Sequence, residues 1–140
     1  IKCGPEVLPA VAEVVPSASE RVVFVGFSLE TMGLTKQRFP GCKVLWNLEL
    51  RQDEAGAWRP GAAEMIERVR GAGIDGVGLG FGEAINEALV GALRAAGLEI
   101  FVWTVDDIAQ ARLLSSMNIH YLATNRPGWL REGLAEKPRE

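Results

Sequence analysis

The chain has 140 residues, of which 48% are apolar and 24% charged, a composition typical of one globular domain. Its 15 basic and 18 acidic residues give a net charge of −3, which argues against a nucleic-acid-binding protein because such proteins carry a basic surface. No apolar run reaches the roughly 18 residues needed to cross a bilayer, so we expect no transmembrane segment. Because the sequence begins with Ile1 rather than methionine, we expect the chain to start inside a longer protein.

The two cysteines, Cys3 and Cys42, are far apart in sequence and form no C-x-x-C motif. A zinc site or a redox pair is therefore disfavoured, and a disulfide scaffold of this size would need more cysteines. We predict two free thiols, which favours a reducing compartment such as the cytoplasm.

From residue 21 onward, short apolar runs alternate with segments of helical periodicity. The apolar runs predict strands over residues 21–27, 43–50, 75–79, 98–105 and 119–123. The other segments predict helices from a Ser28 cap to Phe39, from Pro60 to Gly71, over 83–96, from a Thr104 or Asp106 cap to Met117, and from Pro127 to Leu134. The polar stretch 51–59 contains Gly56 and predicts a loop.

Strands and helices that alternate with short connections indicate βαβ units, a parallel sheet and an α/β fold. Right-handed crossovers leave two architectures open, a doubly wound open sheet or part of a (β/α) barrel. In a barrel the active site lies at the carboxyl ends of the strands, so residues near those ends are the candidates for function.

His120 is the only histidine, so this chain provides neither a two-histidine mechanism nor a multi-histidine metal site. It comes at the amino end of the last predicted strand, opposite the active-site face of a barrel. We therefore predict a structural or surface histidine.

Two further motifs are compatible with ligand binding but have simpler explanations. The glycine-rich run 76–82 matches neither G-x-G-x-x-G nor a P-loop, and predicts a flexible strand end and tight turn, although a helix start there can contact an anion. Asp106 and Asp107 follow a strand and could bind metal, but acids at a helix start are common because they complement its dipole. We favour helix capping for this pair.

Trp103 and Lys2 each have a functional and a structural interpretation. Trp103 lies near the carboxyl end of a buried strand, where it can line a ligand pocket and donate a hydrogen bond, or simply fill the core. Position alone favours neither. Lys2 precedes Cys3-Gly4-Pro5 and could bind a phosphate, although spacing alone favours a solvated lysine.

Two segments near the carboxyl terminus resemble the closing signature of glycerophosphodiester phosphodiesterases. Phe101 to Asp107 is similar to the V-W-T-V-N/D strand of that family, and Asn118 to Pro127 is similar to G-V-D-G-I-I-T-D/N-x-P. Three shorter pieces agree in order, at Ile1-Lys2, Val25 to Ser28 and Gly97 to Ile100. The resemblance covers nearly the whole chain, but Asn118 to Tyr121 departs from Gly-Val-Asp-Gly, a change that we expect to affect only the amino-end face.

Members of this family are (β/α) barrels of about 250 residues. The resemblance therefore implies that residues 1–140 form a single partial domain, the C-terminal portion of a (β/α)8 TIM-type barrel with four to five parallel strands. It also implies metal-dependent hydrolysis of glycerophosphodiesters to sn-glycerol 3-phosphate and an alcohol. The family's catalytic histidines, and most of its Mg²⁺ or Ca²⁺ ligands, belong to the N-terminal half, so we expect neither catalytic residues nor metal ligands in this chain.

The resemblance assigns three substrate-binding positions, with Lys2 contacting the phosphate and Phe27 and Trp103 lining the pocket. We accordingly expect Lys2 and Trp103 to share a pocket. The alternative is a non-catalytic half-barrel that self-associates or pairs with another chain, because an incomplete barrel has open edge strands and an uncovered apolar face.

Overall fold

The computed structural model describes residues 2–135, so Ile1 and residues 136–140 lie outside the described part of the chain. The strands are β1 (Val23–Gly26), β2 (Lys43–Leu48), β3 (Arg51–Gln52), β4 (Trp58–Arg59), β5 (Gly76–Gly80), β6 (Glu99–Trp103) and β7 (Tyr121–Leu122). The helices are α1 (Leu8–Val14), α2 (Leu29–Arg38), α3 (Ala62–Ala72), α4 (Glu87–Ala95), α5 (Ile108–Ser116) and α6 (Pro127–Ala135), with a 3-10 turn at Pro5–Val7 before α1.

Five strands form one parallel sheet in the order β1-β2-β5-β6-β7, and helices connect successive strands. The strands therefore follow chain order from one edge to the other, whereas a doubly wound sheet reverses direction at a switch point. The fold is thus a partial TIM-type barrel, which confirms the predicted fold class. No helix within residues 2–135 is long and apolar enough to span a membrane.

The sheet has two different faces because side chains alternate along each strand. One face packs against the helices: Val44, Val77, Ile100 and Val102 are buried there in a core shared with Met32, Met65, Leu93 and Leu114. The other face carries Asn47, Gly78 and Phe101, which meet one another across three strands. This second face corresponds to the interior of the barrel.

Local sequence signals explain several element boundaries. The Ser28 hydroxyl accepts a hydrogen bond from the Thr31 backbone N–H at 3.1 Å, which confirms the predicted cap of α2. Gly73 and Gly97 end α3 and α4 with φ of 66° and 79°, values that glycine adopts without steric cost. Asn118 has φ 56°, at the position where the signature that it resembles has glycine, and asparagine is among the few residues that tolerate this region.

Four local predictions were wrong. Helix α1 precedes the first predicted strand and was not predicted, and the stretch 51–59 contains the β3–β4 hairpin instead of an irregular loop. Helix α3 begins after a Gly61 cap, so Pro60 lies outside it, and α4 begins only after an Asn86 cap. The Asn86 carboxamide accepts from the Leu89 N–H, a local bond that the periodicity of apolar residues does not reveal.

Candidate functional site

The carboxyl ends of the strands bring Trp103 and Phe27 together. Trp103 is the last residue of β6 and Phe27 directly follows β1, so two strands, β2 and β5, lie between them in the sheet. Their ring centroids are 5.6 Å apart with an interplanar angle of 80°, an edge-to-face contact that aromatic rings prefer. The barrel curvature therefore joins the two positions that the resemblance assigns to the pocket.

Trp103 reaches this position by lying over the glycine end of β5. Gly80 pairs with Trp103, and a Cβ atom at Gly80 would lie 3.6 Å from the Trp103 Cη2 and 3.7 Å from the Glu49 Cγ. The indole Nε1 of Trp103 is buried and has no hydrogen-bond partner among the described residues. A buried N–H donor without a partner costs about 1–3 kcal/mol, which makes this atom a candidate donor to a ligand acceptor.

Asn47 is a second unsatisfied group on the interior face, and the sequence patterns did not single it out. It is 8% exposed, and its Oδ1 atom has no hydrogen-bond partner within residues 2–135. Gly78 provides the space for this side chain, because a Cβ at Gly78 would collide with the Asn47 Oδ1. The signal that could have identified Asn47 is a polar residue in an otherwise apolar strand, at a position where the opposite neighbour is glycine.

A cavity of about 370 Å³ opens beside Trp103 at the same end of the sheet. It is lined by Glu49, Leu50, Trp58, Gly80, Phe81, Gly82, Ala84, Trp103 and Thr104. Its size falls within the usual range of small-molecule sites. Trp58 comes from the β3–β4 hairpin, and the peptide bond between Trp103 and Thr104 is cis.

Lys2 is not among the residues that line this cavity. It is exposed, so its contact with a substrate phosphate beside Trp103 stays a prediction. No strand pairing includes Lys2, because β1 is the edge strand on that side and pairs only with β2.

Asp106 and Asp107 perform two different structural tasks. Asp107 caps α5 through a 2.9 Å bond from the Gln110 N–H, which confirms capping for one of the pair, whereas the prediction that Thr104 or Asp106 caps this helix was wrong. Asp106 instead accepts three 2.7 Å bonds, from the Thr124 hydroxyl and from both the backbone and side-chain N–H of Asn125. These bonds, that of Thr124 foremost, lower the pKa of Asp106 and hold the loop after β7 against the end of β6.

The glycine-rich run 76–82 is a strand end followed by a turn, as predicted: Gly76 to Gly80 form β5, and the Ile85 N–H donates to the Gly82 carbonyl at 3.0 Å. A Cβ at Gly76 would collide with the Glu99 backbone. These glycines permit close approach of neighbouring groups, which is a packing requirement.

The amino ends of the strands hold charged groups that are paired. Glu99 forms a 2.7 Å ion pair with Lys43 and acts electrostatically on Tyr121. The Glu99 hydrogen bond raises the pKa of Lys43, and burial, followed by the Glu99 charge, raises that of Tyr121. His120 accepts the Ile100 N–H at Nδ1 over 3.1 Å, as expected of a structural histidine on this face.

Within residues 2–135 no three His, Cys, Asp or Glu side chains come together as a metal site. Cys3 is exposed, Cys42 is buried and both are free thiols, as predicted. The described residues therefore do not provide a ligand set for the divalent cation that the resemblance implies.

Comparison with known proteins identifies the family. The model of the glycerophosphoryl diester phosphodiesterase family matches residues 3–129, and the chain therefore belongs to this family. No match to this chain was found among curated protein sequences.

Three solved structures show the same fold at low sequence identity. An Oleispira antarctica phosphodiesterase in complex with the product sn-glycerol-3-phosphate is 17% identical, with a TM-score of 0.71 over 94% of this chain and 50% of that one. The Thermotoga maritima glycerophosphodiester phosphodiesterase is 22% identical, with a TM-score of 0.65 over 91% and 53%. KGPDC from Streptococcus mutans, in complex with D-R5P, is 13% identical, with a TM-score of 0.62 over 95% and 67%. The chain thus spans about half the length of the two phosphodiesterases.

Proposed function

We propose that residues 1–140 form the C-terminal portion of a glycerophosphodiester phosphodiesterase barrel and supply part of its substrate-binding wall. The complete barrel would hydrolyse glycerophosphodiesters to sn-glycerol 3-phosphate and an alcohol. The observation that carries this proposal is the unpartnered, buried Nε1–H of Trp103, which lies against Phe27 at the carboxyl end of the strands in a chain of this family.

The roles of the binding residues follow from their chemistry. Trp103 donates its Nε1–H to a substrate oxygen, while its ring and that of Phe27 enclose the carbon skeleton. Asn47 accepts a hydrogen bond from a substrate hydroxyl at its unpartnered Oδ1. Lys2 contributes a charge-assisted hydrogen bond to the phosphate once the residues that flank it in the complete barrel are present.

The reactive groups are proposed to lie outside this chain. Phosphodiester hydrolysis requires a base that activates the nucleophile and an acid that protonates the leaving alcohol. His120 is at the opposite end of the sheet, with its Nδ1 already bonded to the Ile100 N–H. The described residues do not offer a ligand set for a metal ion. The Mg²⁺ or Ca²⁺ of the complete enzyme would therefore be bound mainly by residues outside this chain.

The test separates binding from turnover. The purified chain should hydrolyse no glycerophosphocholine in the presence of Mg²⁺ or Ca²⁺, yet sn-glycerol 3-phosphate should shift the indole N–H resonance of Trp103 in an NMR titration of ¹⁵N-labelled protein. Measurable hydrolysis would contradict the assignment of catalysis to residues outside the chain. A Trp103 resonance that does not respond would contradict its role in substrate binding.

The open edges of the sheet favour a second candidate, a non-catalytic half-barrel that associates with a copy of itself or with another chain. Within the described residues β1 pairs only with β2, and β7 only with β6, so these two are the edge strands of the sheet. Native mass spectrometry distinguishes the candidates: a species at twice 15.2 kDa that binds no sn-glycerol 3-phosphate supports the half-barrel. A monomer that binds this ligand supports the phosphodiesterase portion.

A further inference from the structure

The residues that line the cavity beside Trp103 favour a ligand of positive charge. Trp58, Phe81 and Trp103 are aromatic, and Glu49 is the charged residue among those that line it, with no Lys or Arg in the lining. Aromatic rings attract cations to their electron-rich faces, most strongly in the case of tryptophan. The carboxylate of Glu49 adds a full negative charge, so this cavity favours a cation and disfavours the phosphate of a substrate.

The hairpin β3–β4 holds Trp58 at the cavity by a local network. The Asp53 carboxylate accepts the backbone N–H groups of Ala55 and Ala57 at 3.0 and 2.9 Å, and the Arg59 Nε at 2.9 Å. Arg59, the basic neighbour of Trp58, is thereby paired and lowers the pKa of Asp53. The turn is thus closed by its own hydrogen bonds, and the positive charge next to Trp58 is balanced.

Arg51 is the cation that already contacts Glu49. Its Nη2 lies 3.3 Å from the Glu49 Oε2, with the two side chains 82% and 56% exposed. An ion pair this exposed contributes little because water screens it. A ligand cation that also contacts aromatic rings therefore competes well for the same carboxylate.

We propose that this cavity receives the alcohol side of the glycerophosphodiester and selects a quaternary ammonium head group. The inference rests on the proposed function, since the same ligand must place its phosphate outside the cavity. A quaternary ammonium carries no N–H donors, so it suits walls that offer rings, the side chains of Leu50 and Ala84, and a single carboxylate. A primary ammonium has three N–H donors, and it would need further hydrogen-bond acceptors in the cavity to replace the water molecules that it loses on binding.

The experiment compares two diesters that differ in head-group charge, glycerophosphocholine and glycerophosphoglycerol. The full chain has four tryptophans, so a ¹⁵N-labelled sample gives four indole N–H resonances, which Trp→Phe variants assign. We expect the choline diester to bind about tenfold more tightly and to shift the resonances of Trp58 and Trp103. The Trp129 resonance should not move, because Trp129 contacts Arg126 at the start of α6 and is absent from the cavity lining.

A matched pair of variants tests the charge. Glu49→Gln preserves the size of the side chain and should reduce the preference for the choline diester at least threefold, with unchanged binding of glycerophosphoglycerol. Glu83→Gln removes an exposed carboxylate from the neighbouring loop, outside the cavity lining, and should leave the preference intact. Urea unfolding midpoints confirm that both variants are folded.

The possible results separate this inference from the function on which it rests. Equal affinity for the two diesters, with binding of sn-glycerol 3-phosphate retained, would overturn head-group selection and leave the proposed function standing. Binding of choline alone, with neither diester nor sn-glycerol 3-phosphate bound, would support the cation cavity and overturn the proposed function. Failure of all four ligands to bind would overturn both.

Discussion

The two ends of the parallel sheet differ in whether their polar groups have hydrogen-bond partners. At the amino end, Asp75 accepts the Lys36 ammonium and the Val44 N–H, both at 2.8 Å, and Glu99 pairs with Lys43 at 2.7 Å. At the carboxyl end, the Trp103 Nε1 and, two residues further into the barrel at the level of Phe101, the Asn47 Oδ1 are buried without partners among residues 2–135. Satisfied buried groups stabilise a fold, whereas unsatisfied ones reduce its stability until a ligand completes them. We therefore expect the amino end of the sheet to contribute mainly to stability and the Trp103 region of the carboxyl end to contribute to binding.

The largest expected effect tests close packing at the amino end. Gly76→Ala places a Cβ against the backbone of Glu99, which cannot move aside as a flexible side chain would, so we expect a loss of about 3 kcal/mol in the free energy of unfolding. Gly82→Ala, past the carboxyl end of β5, is the control. No atom lies within 4 Å of its added Cβ, and its effect should stay within about 0.5 kcal/mol. If the two substitutions lowered the free energy of unfolding equally in urea denaturation, close packing would not distinguish the amino end from the carboxyl end.

The charged network at the amino end should come next. Asp75→Ala removes the acceptor of both the Lys36 ammonium and the Val44 N–H, and we expect a loss of about 2 kcal/mol. Asp75→Asn retains an acceptor for Val44 and should lose about 1 kcal/mol. Urea unfolding measures both, and sn-glycerol 3-phosphate affinity should not change in either. A loss of affinity in Asp75→Asn would show that this end also serves binding.

At the carboxyl end, Trp103→Phe should have the reverse profile. The variant keeps an aromatic ring against Phe27 but lacks the Nε1–H, so we expect about a tenfold loss of affinity for sn-glycerol 3-phosphate. Because that donor has no partner in the unliganded protein, the free energy of unfolding should change by less than about 1 kcal/mol. A large fall in stability with unchanged affinity would identify Trp103 as a core residue instead.

The smallest expected effect concerns the loop after β7 and its dependence on pH. The folded-state pKa of Asp106 is lowered, chiefly by the Thr124 hydroxyl, so the stability that its carboxylate contributes is present above about pH 4. That contribution is lost as the pH falls through the lowered pKa. The Tm difference between the wild type and Asp106→Asn should therefore be largest at neutral pH and disappear in acid. A difference that stays constant from pH 7 to pH 2 would contradict this assignment.

Much of the architecture could be predicted from local sequence. Some features depend only on residues close by in the chain, so they can be predicted without knowing what packs against them. Examples are the apolar runs of β2 and β6, the Ser28 cap, and the glycines that end α3 and α4. The strand and turn of the run 76–82 were predicted, but the close packing at its glycines was not, because a glycine needed for close approach looks in sequence like one needed for a turn. The hairpin that carries Trp58 was missed because its two-residue strands carry no alternating pattern.

The sequence by itself therefore determined the alternation of strands and helices, the family to which this chain belongs, and two of the aromatic residues that meet at the strand ends. Only the tertiary structure decided that Asn47 has an unsatisfied oxygen, that Lys2 lies outside the cavity, and that Trp58, Phe81 and Glu49 share it with Trp103. The reason is physical. Periodicity and capping depend on neighbours in the chain, whereas a cavity and a missing hydrogen-bond partner depend on residues that only the curvature of the sheet brings together.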